Sequence, residues 1–192
     1  MIDIARLKQD IKFEADLFGV NLKFVSTWGI FSPREIDQGT KLLLKYIKIN
    51  QSDNCLDLGC GYGVIGLWLA KLANQGQIHM VDKDYIAVEY SKTNAQINNI
   101  DNVRIYLSNG FSEVPDIKFD KIISNVPAKI GKELTTIMLV EAKLHLSPQG
   151  EIFLVVINGL RDYMKKNLKE IFGNFKKIKQ GAKYTVLMAK LI

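Results

Sequence analysis

The sequence predicts one α/β domain built on a mostly parallel sheet with helices on both faces. Three observations predict it. After Asn54, short β-branched or apolar runs alternate with helical stretches, the order expected of βα units. A glycine cluster, Gly59, Gly61 and Gly63, falls between the first such run and the first such helix, where a βα turn brings backbone close to a ligand. With 192 residues, 47% of them hydrophobic, the chain carries apolar side chains for one ordinary core and not for two.

In chain order, the first twenty residues read as a helix, residues 22–26 as a short strand, and residues 36–47 as a helix carrying Leu42, Leu43 and Leu44. Strands follow at 55–58, 77–81, 103–107, 121–124 and 151–156, separated by helical patterns at 64–73, 85–98 and 133–145. Ser147, Pro148 and Gly150 mark a turn closing the last of these. Residues 160–172 are amphipathic and end at Gly173, the residue type that closes a helix in the left-handed conformation. Two more strands, at 175–179 and 184–189, complete seven with a terminal hairpin.

No apolar run approaches the roughly 20 residues that span a bilayer, and residues 1–10 mix acids with bases instead of forming a signal-peptide core. A cytoplasmic protein without a membrane partner is expected. Cys55 and Cys60 stand alone, with no second pair and no nearby His, so neither a disulfide framework nor a metal site is expected. The formal charge is +6, and it is concentrated: from Arg161 onward nine Lys or Arg face only Asp162 and Glu170. A polyanionic partner fits that end of the chain.

The segment Asp57, Leu58, Gly59, Cys60, Gly61, Tyr62, Gly63 follows a strand and opens a helix. Gly61, Gly63 and Gly66 also satisfy the dinucleotide pattern, with Asp82 about 20 residues on as the ribose acid. The pattern alone does not decide between a nicotinamide cofactor and S-adenosylmethionine. Three features favour the second. Asp57 stands ahead of the glycines, where a carboxylate suits the ammonium of a bound amino acid and repels a pyrophosphate. No Tyr is followed four residues later by Lys, and His79 and His145 sit in a strand and at a helix end, so the proton-donating pair of a dehydrogenase is missing. The fourth strand leads into Ser124, Asn125, Val126 and Pro127, a loop suited to methyl transfer.

With these residues in view, the chain resembles the methyltransferase small-domain family, which includes bacterial ribosomal RNA guanine-N2 methyltransferases and single-domain relatives. The resemblance covers most of the chain. It extends to the segment Ser26, Thr27, Trp28, Gly29, Ile30, Phe31, Ser32 and the following Asp37, Gln38, Gly39 and Thr40, similar to a pre-sheet segment that in the family helps close the cofactor site. The resemblance implies a Rossmann-like seven-stranded mixed sheet of order 3-2-1-4-5-7-6. It also implies one domain over 1–192, with residues 1–50 as an extension over the cofactor. The cofactor-binding set it implies is Asp57, Gly59, Cys60, Gly61 and Gly63 toward the methionine and ribose, Asp82 and Lys83 toward the ribose, Asn109 and Gly110 at the adenine edge, and Asn125. Asn109 departs from the family's Asp; an amide still accepts a hydrogen bond from the adenine amino group.

The catalytic set implied is Asn125, Val126 and Pro127. In the family's Asn-Pro-Pro-aromatic loop, the Asn oxygen and the next carbonyl accept hydrogen bonds from the target nitrogen, and the aromatic stacks on a flipped base. Here Ala128 replaces the aromatic, so Phe31 or Trp28 is expected to supply the stacking face. A carboxylate at 125 would keep the acceptor. Lys176 and Lys177 join them as substrate-binding residues. The activity expected is an S-adenosylmethionine-dependent N-methyltransferase acting on an RNA base of ribosomal or transfer RNA, with a partner protein for substrate capture. The alternatives are methylation of a protein or small molecule, and a cofactor- or RNA-binding module without catalysis.

Overall fold

The computed structural model describes residues 3–129 and 131–192. Its elements are α1 (Ile4–Leu7), β1 (Ile11–Leu17), β2 (Val20–Ser26), α2 (Gln38–Tyr46), β3 (Cys55–Leu58), α3 (Val64–Leu72), β4 (Ile78–Asp82), α4 (Tyr85–Ile97), β5 (Val103–Leu107), β6 (Phe119–Asn125), α5 (Lys132–His145), β7 (Leu146–Ile157), a 3-10 turn (Asn158–Leu160), α6 (Arg161–Phe172), β8 (Lys176–Gln180) and β9 (Tyr184–Lys190).

Seven strands form one sheet in the order β5-β4-β3-β6-β7-β9-β8. Counted from β3, this is 3-2-1-4-5-7-6, the expected order. The pairs from β5 to β7 are parallel, while β9 runs antiparallel to both β7 and β8. Both faces are covered, so neighbouring residues of one strand face opposite cores. Ile122, Leu154 and Leu187 pack under α5 and α6, whereas Ile123, Val155 and Val186 pack with α2 and α3. That two-sided burial is why the central strands read as continuous apolar runs.

Two expectations need correction. The first twenty residues do not form one helix. Ile11, Phe13, Ala15 and Leu17 alternate with Lys12, Glu14 and Asp16, a period-2 pattern, and β1 pairs with β2 as a separate antiparallel hairpin. Phe18 and Gly19 close it, both with positive φ (57° and 88°), which matches the twist of a two-residue hairpin loop. Nor do Ser147, Pro148 and Gly150 form a turn ahead of the fifth strand. They lie within β7, which pairs Leu146 with Phe119 and then shifts register before Lys121 meets Glu151.

The hairpin is carried by α4. Asn94 Oδ1 accepts from the Val25 N–H at 2.7 Å and its Nδ2 donates to the carbonyls of Val25 and Tyr62. One turn on, Asn98 makes the same reciprocal pair with the Lys23 backbone. Residues four apart share a helix face, so two amides extend the backbone pairing of β2 onto a helix. Phe13 and Phe24 then each pack edge to face on Tyr62 beneath it. This docking sets the loop that follows β2 over the glycine turn.

Candidate active site

The candidate residues gather at the C-terminal ends of β3, β4 and β6, the edge of a parallel sheet where ligands bind in open α/β folds. Gly59 and Gly61 hold φ values of 80° and 56°, and Gly63 caps α3 at 100°. A Cβ at Gly59 or Gly61 would meet nothing within 4 Å. Glycine is therefore required there for backbone conformation, and the space beside it is open. Gly66 differs: a Cβ would come within 2.6 Å of the Met80 sulfur, so this glycine lets α3 lie close on β4.

Two carboxylates brace the turn. Asp82 Oδ2 accepts from the Gly61 N–H at 2.9 Å and Oδ1 from the Asp84 N–H at 2.9 Å. Asp84 rather than Asp82 caps α4, through the Ile86 N–H. Each Asp82 oxygen keeps a second lone pair for a ribose hydroxyl. Asp57 is fully buried beneath the turn, its Oδ2 accepting from the Gly66 N–H at 2.7 Å. Its Oδ1 has no hydrogen-bond partner among the described residues. Burial pushes the Asp57 carboxyl up to about 7, against the pull of the Gly66 hydrogen bond, with Asp82 adding to the rise. Burial thereby weakens the repulsion of a pyrophosphate that the sequence suggests for Asp57.

Within the turn, Cys60 is buried and its thiol, pushed up by burial, lies 3.6 Å from Ser91 Oγ. It packs the turn onto α4. Lys83 is exposed. At the end of β5, Ser108 Oγ donates to the Gly110 carbonyl, and Gly110 has a φ of 64° with Asn109 exposed beside it.

The β6 loop is held from both sides. Ser124 Oγ donates to the Leu58 carbonyl at 2.7 Å, and the Val126 N–H donates to the Val155 carbonyl at 3.0 Å. Asn125 Nδ2 donates to Asp37 Oδ2 at 3.0 Å and to Thr40 Oγ1 at 2.9 Å. Both amide hydrogens are used, and Oδ1 is left as the acceptor. Pro127 and Ala128 are exposed.

Facing this loop, Tyr62 of the glycine turn donates to the Ser32 carbonyl at 3.1 Å. That contact brings Phe31, 66% exposed, beside the turn. Trp28 is also exposed, with Lys8 Nζ 5.6 Å over its ring. Lys176 and Lys177 are not brought to the site. They are exposed on the edge strand β8, three strand spacings from β6, roughly 14 Å, and Lys176 pairs with Met188 toward the far end of β9. Within the basic C-terminal stretch, Lys183, whose carbonyl accepts from the Asn158 N–H just past β7, and Arg161, at the start of α6, lie toward the catalytic edge. One residue escaped sequence reasoning: Tyr184, whose hydroxyl donates to Asp37 Oδ1 at 2.8 Å across 147 residues. No local signal marks it.

Comparison with known proteins agrees with this geometry. A family model described as methyltransferase small domain matches residues 21–188. The chain is 35% identical over 173 residues to the protein YbxB of Bacillus subtilis (strain 168), covering 88% of this chain and 86% of that protein. It is 35% identical over 174 residues to ribosomal RNA small subunit methyltransferase C of Haemophilus influenzae (strain PittEE), covering 88% of this chain but 52% of that one. Among solved structures, the T. thermophilus 16S rRNA N2 G1207 methyltransferase (RsmC), in complex with AdoMet and guanosine, superposes with a TM-score of 0.85 at 26% identity, over 94% of this chain and 50% of that one. The chain thus spans about half the length of the ribosomal RNA methyltransferases it matches. A glycine turn braced by two acids, an asparagine loop opposite it and a family match over nearly the whole chain lead to one conclusion: this protein belongs to the methyltransferase small-domain family.

Proposed function

We propose that the chain binds S-adenosylmethionine at the glycine turn and transfers its methyl group to a nitrogen of an RNA base, with small-subunit ribosomal RNA as the first candidate. The observation that carries this reading is the Asn125 carboxamide. Its N–H groups are spent on Asp37 and Thr40, so its oxygen serves as an acceptor for a target amino group at the catalytic edge.

The residues fit the cofactor. Gly59 and Gly61 leave open space, Asp82 retains acceptors for ribose hydroxyls, and the unpartnered Asp57 Oδ1 suits a donor such as the methionine ammonium. Asn109 and Gly110 take the adenine edge in this proposal, with Cys60, Gly63 and Lys83 completing the turn. When bound, S-adenosylmethionine supplies an electrophilic methyl on a sulfonium, and the S–C electron pair stays with sulfur. Asn125 Oδ1 and the Val126 carbonyl accept from the target nitrogen and aim its lone pair, Pro127 keeps that backbone extended, and the proton leaves to water. Phe31 is the stacking face in place of the absent loop aromatic.

In this proposal residues 1–192 act as one domain with the segment to residue 50 closing the cofactor site, in the cytoplasm and with a partner protein aiding capture. The RNA assignment is supported by the similarity to ribosomal RNA methyltransferases and by the basic residues of α6 and β8. Incubating the chain with methyl-labelled S-adenosylmethionine and separate RNA, protein and metabolite fractions tests it. Label in RNA, lost with Asn125→Ala, is the expected result. Label confined to protein or metabolites overturns the RNA substrate, and label in none overturns catalysis.

A further inference from the structure

We propose that Asp37 is a positioning residue that fixes which end of the Asn125 carboxamide faces the reaction. The inference rests on the proposed role of Asn125 and adds to it the reason that the amide is presented correctly. A carboxamide has nearly the same shape when flipped end for end, so packing alone does not choose its orientation. Asp37 chooses it. A carboxylate is acceptor-only, and Asp37 Oδ2 lies 3.0 Å from Asn125 Nδ2. Flipping the amide would set two oxygens against each other at that distance, with one of them charged.

Asp37 is itself held on three sides. Its Oδ2 also accepts from the Thr40 N–H at 3.1 Å as the cap of α2, and its Oδ1 accepts from the Tyr184 hydroxyl at 2.8 Å. The same hydrogen bond is the first cause pushing the Tyr184 phenol above its ordinary value, followed by burial. Thr40 contributes Oγ1 to the second Asn125 hydrogen at 2.9 Å. Segments from α2, the end of β6 and the head of β9 therefore meet at one carboxylate.

Gly39 makes room for this meeting. A Cβ there would lie 2.8 Å from Asp37 Oδ2 and 2.8 Å from the Tyr184 ring. Glycine inside a helix costs about 1 kcal/mol relative to alanine, and here the missing side chain is what lets Tyr184 and Asp37 approach.

Asp37→Asn tests the proposal without removing the helix cap, because Asn and Asp cap helices about equally well. Two readouts are used: the Asn125 side-chain amide resonances, assigned by their loss in Asn125→Ala, and turnover of in-vitro-transcribed small-subunit ribosomal RNA with methyl-labelled S-adenosylmethionine. The expected result is displaced Asn125 amide resonances, a kcat lower by roughly 10–100-fold, less than the roughly 10²–10³-fold of losing an orienting group outright, and an unchanged cofactor Kd. In the Asn125→Ala background, Asp37→Asn should change the residual rate less than about 2-fold, since a residue acting only through Asn125 has nothing left to orient. Tyr184→Phe, which keeps the ring, should give a smaller loss of the same kind.

Unmoved resonances with a wild-type rate in Asp37→Asn overturn the positioning role. So does a loss that multiplies with Asn125→Ala. A wild-type rate in Asn125→Ala overturns the proposed function instead, so the two failures are distinguishable.

Discussion

Asn125 and Asp37, 88 residues apart in sequence, meet at 3.0 Å with the amide nitrogen donating to the carboxylate. This contact converts an asparagine at the end of a strand into an oriented acceptor, and it changes what substitutions at either position should do.

Asn125→Ala should lower kcat by roughly 10²–10³-fold, by analogy with loss of one preorganised hydrogen bond, while cofactor affinity stays within a few-fold. Asn125→Asp, which from sequence alone keeps an acceptor, should be at least as damaging, because the new carboxylate would face Asp37 across the same gap. Steady-state rates with labelled cofactor, alongside calorimetric Kd values, check both. Activity retained in Asn125→Asp would show that Asp37 does not constrain position 125.

Asp57 predicts a pH dependence. Its carboxyl rises from 3.8 to about 7 on folding, so the folded state holds a proton that the unfolded state has lost throughout that window. Stability should therefore fall as pH rises from about 4 to about 7 and level off above. Asp57→Asn should flatten that slope in denaturation curves measured across it. Cofactor affinity should tighten as pH passes upward through about 7 in the native chain, since an ammonium favours the ionised carboxyl, and the substitution should remove this dependence as well.

Asp82→Ala should weaken S-adenosylmethionine binding by about 1–3 kcal/mol, the scale of buried polar groups left without partners. The Gly61 and Asp84 N–H groups also lose their acceptor, so a modest fall in Tm should accompany it. Calorimetry separates the two effects. Unchanged affinity would confine Asp82 to bracing the turn.

Changing Lys176, Lys177 and Lys179 together to Gln should flatten the salt dependence of RNA binding and leave the rate at saturating RNA unchanged. Each neutralised phosphate releases counterions, so losing three cations removes up to about three units from the logarithmic slope. These lysines are exposed on the edge strand β8, three strands from β6, which is why affinity and not chemistry should respond. An unaltered slope would place the RNA elsewhere.

Much of this molecule was legible in its residues. The seven strands of the main sheet, the glycine turn, the helix ending at Gly173 and the asparagine loop are written in local signals: apolar runs of strand length, glycines where φ must be positive, and breakers between elements. Even the N-terminal hairpin has such a signal in the alternation from Ile11 to Leu17. Only the tertiary structure decided which side chains meet. Tyr184 joins Asp37 because β9 turns back antiparallel beside β7 and brings its first residue to the catalytic edge, while Lys176 and Lys177 are carried away from that edge by the same reversal. Asp57 is buried beneath its turn with Oδ2 held by the Gly66 N–H, where the bare Gly66 lets α3 settle onto β4. Local sequence specifies backbone conformation within a few residues, whereas contacts across 88 or 147 residues depend on how the elements pack. The orientation of one carboxamide is a property of that packing.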